Sequence, residues 1–106
     1  MINIKVYKNG YEIIGHSFDN ICAQVTLWHW LTSNIIRGLD KEAKEYSSSR
    51  DNKDNPGEGY SWTIFNPETN NLKWIVEEFI VSFYEWSMKE YSGEVIFEQC
   101  NDDLHK

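Results

Sequence analysis

A histidine and a cysteine stand six positions apart in this chain, within Gly15-His16-Ser17 and Asp19-Asn20-Ile21-Cys22-Ala23. A thiolate nucleophile needs a base to take the thiol proton and surroundings that favour the sulfur anion. His16 closes an apolar, strand-like run, and Cys22 opens an amphipathic helix. With Asp19 as the helix cap, Cys22 falls in the first turn. Unpaired amides and the positive end of the helix dipole there draw a thiol pKa down from its usual value of about 8.5. His16 then accepts the proton or pairs with the thiolate as an imidazolium, and the amides at Cys22 and Ala23 offer themselves to a substrate oxyanion. Thr26, one turn on, puts a hydroxyl on the same side. Asp19 acts as cap or as orienting partner of His16. The same residues also carry a plainer reading, in which Cys22 is a small buried hydrophobe and His16 a surface residue.

The elements that must deliver this pair follow from the pattern of apolar residues. Ile2, Ile4 and Val6 alternate with polar neighbours, Asn9-Gly10 follows as a turn signal, and residues 11–17 return, which predicts a β-hairpin. Ile21, Val25, Trp28, Leu31, Ile35 and Ile36 recur at steps of three and four, which predicts a helix capped by Asp19 or Asn20 and stopped at Gly38. Residues 43–48 read as a weak strand and 50–59 as a loop. Residues 60–65, Tyr-Ser-Trp-Thr-Ile-Phe, read as a strand. A second, mostly buried helix is expected over residues 68–91, with Asn66 as cap and an apolar face of Leu72, Ile75, Val76, Phe79, Ile80, Phe83, Trp86 and Met88. Residues 94–98 form the last strand. The order ββα(β)βαβ predicts an α+β fold with two helices packed on a four- or five-stranded sheet. Residues 1–100 form a single domain, and 101–106 a flexible tail.

Composition narrows the possibilities. The chain has 106 residues, a net charge of −7, 41% hydrophobic residues, and five Trp, six Tyr and five Phe. That length implies one domain. The acidic balance argues against nucleic acid and anionic membranes and favours a basic protein partner. No leader and no membrane-length apolar run is read from the sequence, and two cysteines do not make a disulfide framework. A reducing cytoplasm is therefore the expected compartment. Cys100 reads as an incidental thiol. No metal site is expected, because His16, Cys22, His29, Cys100 and His105 lack ligand spacing, and no cofactor motif is present. His29 lies two turns below Cys22 and reads as a structural or solvent-facing histidine rather than a second base. The aromatic excess suggests a homodimer, with Trp62, Trp74, Tyr84 and Trp86 as interface candidates.

Gly15-His16-Ser17 followed by Asp19-x-Ile21-Cys22-Ala23-x-Val25-Thr26 resembles the ribosomal-processing cysteine protease (Prp) family. That family carries Gly-His-Ala and then Asp-Ile-Val-Cys-Ala-Ala-Val-Ser. The resemblance extends to the leading hairpin, to the helix ending near Gly38-Leu39, and to the stretch from Phe79 to Phe97. It implies a Cys22–His16 dyad, with Asp19 and Thr26 at the family's Asp and Ser. It also implies a peptide substrate, the basic N-terminal extension of a large-subunit ribosomal protein, and a dimer. The chain departs from the pattern in its His-to-Cys connector, which is shorter than the family's, and in Ser17 and Gln24, where the family has Ala. The alternative reading is a catalytically degenerate relative that serves as a protein-binding module, and the sequence equally allows a small acidic inhibitor.

Overall fold

Five strands and two helices are present in the computed structural model, which describes residues 1–48 and 59–106. They run β1 (Ile2–Tyr7), β2 (Gly10–Gly15), α1 (Asp19–Leu39), β3 (Lys44–Ser48), β4 (Tyr60–Ile64), α2 (Leu72–Glu90) and β5 (Val95–Gln99). The sheet order is β3-β4-β2-β1-β5, antiparallel except for the β1–β5 pair. This is the α+β fold read from the sequence, with the weak strand at 43–48 present and the sheet complete at five. The loop expected at 50–59 lies, but for Gly59, outside the described residues.

Register decides which side chains form the core. Ile4 faces Ile13 across β1–β2 and Phe97 across β1–β5, and Tyr11 faces Thr63 across β2–β4. Because side chains alternate across a sheet, Ile2, Ile4, Tyr11, Ile13 and Val95 share one face. Ile21, Val25 and Ile36 of α1 and Leu72 and Val76 of α2 join them in one buried cluster. Both helices therefore cover the same face of the sheet. Trp28 seals the helix pair, its ring 4.6 Å from that of Phe83.

Several boundaries differ from the sequence reading, each for a local reason. The hairpin turn is Lys8-Asn9, because Tyr7 and Gly10 already pair. Gly10 serves another purpose: a Cβ there would lie 2.1 Å from the Thr63 carbonyl oxygen, so its bareness lets β4 approach. Gly38 does not stop α1, which runs to Leu39 and is closed by the Asp40 amide donating to Ile36 O at 2.8 Å. Asn66 does not cap α2. Its Oδ1 accepts from the Glu68 amide at 3.0 Å in a separate turn. The chain then passes through Asn70 and Asn71 at φ 48° and 60° before the helix opens at Leu72. Met88, expected on the buried face, is 51% exposed.

The segment expected as a flexible tail lies against the sheet. Leu104 is 5% exposed. Its amide donates to Asn9 Oδ1 at 2.7 Å, and Asn9 Nδ2 donates to its carbonyl at 3.1 Å. The polarity of residues 101–106 predicts a free end, yet the single apolar residue among them is the anchor. Among the interface candidates, Trp74 and Tyr84 are exposed. Trp86 is half-buried and occupied, its indole N–H donating to Gln24 Oε1 at 3.1 Å.

Candidate functional site

The connector between β2 and α1 is fixed before its side chains are considered. Gly15 sits at φ +110°, and a Cβ there would lie 2.3 Å from Met1 O. Only glycine adopts that conformation at low cost and also leaves room for β1. Its amide donates to Gly59 O at 2.9 Å, and the next carbonyl, that of His16, accepts from Met1 N. Ser17 continues the anchorage through its hydroxyl, which donates to Glu94 Oε2 at 2.7 Å. Three consecutive residues are thus tied to three different parts of the chain.

Cys22 meets this connector from the helix. The Ser17 amide donates to Cys22 Sγ at 3.3 Å, and the thiol can donate to Ser17 O at 3.4 Å. An N–H aimed at sulfur favours the thiolate, and a carbonyl beside it favours the thiol, so the Ser17 peptide offers a partner to each state. His16, Cys22 and Thr26 line one cleft of about 80 Å³, together with Gly15, Val25, His29, Tyr60 and Ser61. Among the described residues no hydrogen bond joins the His16 ring to Cys22.

The helix start differs from the expected capping. Phe18 is the N-cap, without a side-chain cap, and Asp19 is the first helical residue. Asp19 therefore contributes its charge to the first turn, where a carboxylate is favourable, and does not cap. The Ile21 and Cys22 amides both donate to Phe18 O, at 2.9 and 3.0 Å. The Cys22 amide, expected to be open to an oxyanion, is thereby used. The spare donors of the helix lie earlier, at Asp19 and Asn20. Ala23 is exposed.

His29 is the residue whose placement the sequence leaves open. It is 2% exposed and forms the floor of the same cleft. Its partners define its tautomer. Thr63 Oγ1 donates to Tyr11 OH at 3.2 Å, and Tyr11 OH meets His29 Nδ1 at 3.0 Å. On the other side His29 Nε2 meets Ser47 Oγ at 2.7 Å, and Ser47 Oγ donates to Glu45 Oε1 at 3.2 Å. Ser47 has one hydroxyl proton, which goes to Glu45, so Nε2 carries the imidazole proton and Nδ1 accepts from Tyr11. The neutral ring leaves every one of these partners satisfied. Burial accordingly pushes the His29 pKa down, against the opposing pull of Glu45 and the Tyr46 backbone. This is a structural histidine. The helical period contains the signal for it: Ile21, Val25, His29, Thr32, Ser33 and Ile36 form the buried stripe, half of it polar.

The fold and the cleft together define a small α+β protein with a thiol and an imidazole at a strand-to-helix junction. Comparison with solved structures finds the same fold in ribosomal-processing proteases. The ribosomal processing protease Prp of Staphylococcus aureus, in complex with a covalently linked product peptide, superposes with a TM-score of 0.67 at 17% identity. That match covers 94% of this chain and 100% of that one. The same protease with a substrate peptide gives 0.67 at 15% identity over the same shares. A Streptococcus mutans protein gives 0.62 at 16% identity over 98% of this chain and 99% of its own. The chain thus has the Prp fold over nearly its whole length. No family model and no curated protein matches its sequence.

Proposed function

We propose that the protein is a Prp-like cysteine endopeptidase with Cys22 as nucleophile and His16 as base. The observation that carries the reading is the shared cleft: both residues line it in a fold whose counterparts hold peptides. His16 takes the thiol proton, and Sγ adds to the scissile carbonyl carbon. The imidazolium returns the proton to the leaving amine as the C–N bond breaks, and water then releases the acyl group from sulfur. Thr26 lines the same cleft, Asp19 stands at the helix start outside its lining, and the Asp19 and Asn20 amides are the donors nearest the start of the helix. The substrate is a basic polypeptide extension, in keeping with the net charge of −7, trimmed from a ribosomal protein in the cytoplasm by a homodimer. The second reading, a binding module without turnover, is favoured by one observation. The Ser17 carbonyl, 3.4 Å from Sγ, stabilises the thiol.

Two measurements separate the readings. Iodoacetamide at pH 7 should label Cys22 faster than a free cysteine, and His16→Ala should slow that labelling. Labelling as slow as that of a free cysteine, unchanged by His16→Ala, rules out the dyad. Incubation with a large-subunit ribosomal protein bearing its N-terminal extension, beside a Cys22→Ala control, should give a shortened product by mass spectrometry. Binding without cleavage, unaffected by Cys22→Ala, identifies the module.

A further inference from the structure

The sheet face away from the helices carries a carboxylate that ought to stand in water and does not. Glu12 points out of the core, as its register between inward Tyr11 and Ile13 requires, yet it is 6% exposed. Tyr7 OH donates to its Oε1 at 2.6 Å and Tyr60 OH to its Oε2 at 2.6 Å. Lys106 Nζ lies 3.4 Å from Oε2 and 5.0 Å above the centre of the Tyr60 ring. Alongside, Tyr46 stacks on Trp62 with centroids 6.0 Å apart and planes inclined by 15°. A carboxylate floor with aromatic walls is what an alkylammonium group requires: an ion pair shielded from water and a π face for the cation.

We infer that the Glu12–Tyr7–Tyr60 seat is a binding site for the lysine side chain of a polypeptide partner, occupied here by Lys106 of the same chain and open to exchange. The occupant demonstrates the fit. Its anchorage permits the exchange: Leu104 and Asn9 hold the segment upstream, so Lys106 can leave while Leu104 stays. The Lys106 side chain remains 32% exposed, whereas that of Glu12 is 7% exposed, so the acid is built in and the cation sits at the rim. The net charge of −7 draws lysine-bearing segments towards the molecule. The inference goes beyond the endopeptidase reading and stands whether or not Cys22 reacts.

The test is intramolecular competition. The full chain and Lys106→Ala are titrated with acetyl-Gly-Lys-Gly-amide and with its norleucine counterpart, with the Trp62 indole N–H followed by NMR. Removing the resident lysine should tighten binding of the lysine peptide at least tenfold, with no shift from the norleucine peptide. Adding Glu12→Gln to Lys106→Ala should abolish the shift. Tyr7→Phe, a milder change that keeps the ring, should weaken it severalfold, and it carries the test if Glu12→Gln does not fold. Equal response to both peptides, or an unresponsive Trp62 in Lys106→Ala, overturns the inference and leaves Lys106 as a tail anchor only.

Discussion

At the scale of single residues, the polar chain through His29 has a consequence for pH. The ring is neutral in the folded state, and its pKa lies below the ordinary 6.5 because burial disfavours the cation. The unfolded chain therefore binds a proton first as pH falls, and stability decreases below about pH 6.5. Glu12 acts in the same direction further down the scale. Burial alone would raise its pKa, but the hydrogen bonds from Tyr60 and Tyr7 and the charge of Lys106 outweigh it, so the folded carboxyl titrates below its ordinary 4.5. Its contribution is present above that value and is lost as pH falls through the lowered one. Urea melts at several pH values should show both decreases, and His29→Gln should flatten the upper one alone. Tyr11→Phe should cost roughly 1–3 kcal/mol at neutral pH, since it leaves the buried Nδ1 without its donor. The residues of the candidate site were legible because Gly, His and Cys at a strand–helix boundary are a chemical signal in themselves. His29, Thr32 and Ser33 were not read as core, because a search for apolar spacing passes over buried polar groups whose partners come from distant strands.

At the scale of elements, two glycines discriminate between the structure and the simpler sequence reading. Gly38 lies inside the last turn of α1, and a methyl group added there would have nothing within 4 Å. Gly38→Ala should therefore stabilise the protein by roughly 0.5–1 kcal/mol in denaturant melts, whereas a left-handed stop signal would make it destabilising. Gly10→Ala should destabilise markedly, because its methyl group would meet backbone atoms of β4 that cannot move without breaking the β2–β4 pairing. Element type and order were legible throughout, since alternation and three-to-four spacing report directly on burial. The ends were less so. Asn66 and Gly38 carry the right chemistry for a cap and a stop, but the backbone engages Asn66 in a turn of its own and takes α1 past Gly38 to the Asp40 amide. Asp40 completes that corner, its two carboxylate oxygens accepting from the Glu42 and Asn66 amides at 3.0 and 2.9 Å.

At the scale of the whole molecule, the docked tail and the acidic surface set what can be measured. Leu104→Ala should lower stability by about 2 kcal/mol, the lower end for a buried leucine because the residue docks at the hairpin turn outside the main core cluster, and should free Lys106 with it. Light scattering of the intact protein tests the proposed homodimer, for which Trp74 and Tyr84 are the exposed rings among the expected candidates and Phe18, Trp30 and Tyr46 are exposed as well. The interior strand β1 adds a constraint in time. It pairs with β2 across a two-residue turn but with β5 only through contacts such as Ile2↔Val95, which span most of the sequence. During synthesis the hairpin can close as soon as residue 15 is free, yet the other edge of β1 stays bare until the last strand has emerged. For that interval the nascent chain carries an open, isoleucine-rich edge, and a chaperone or a neighbouring nascent chain would find it before β5 does.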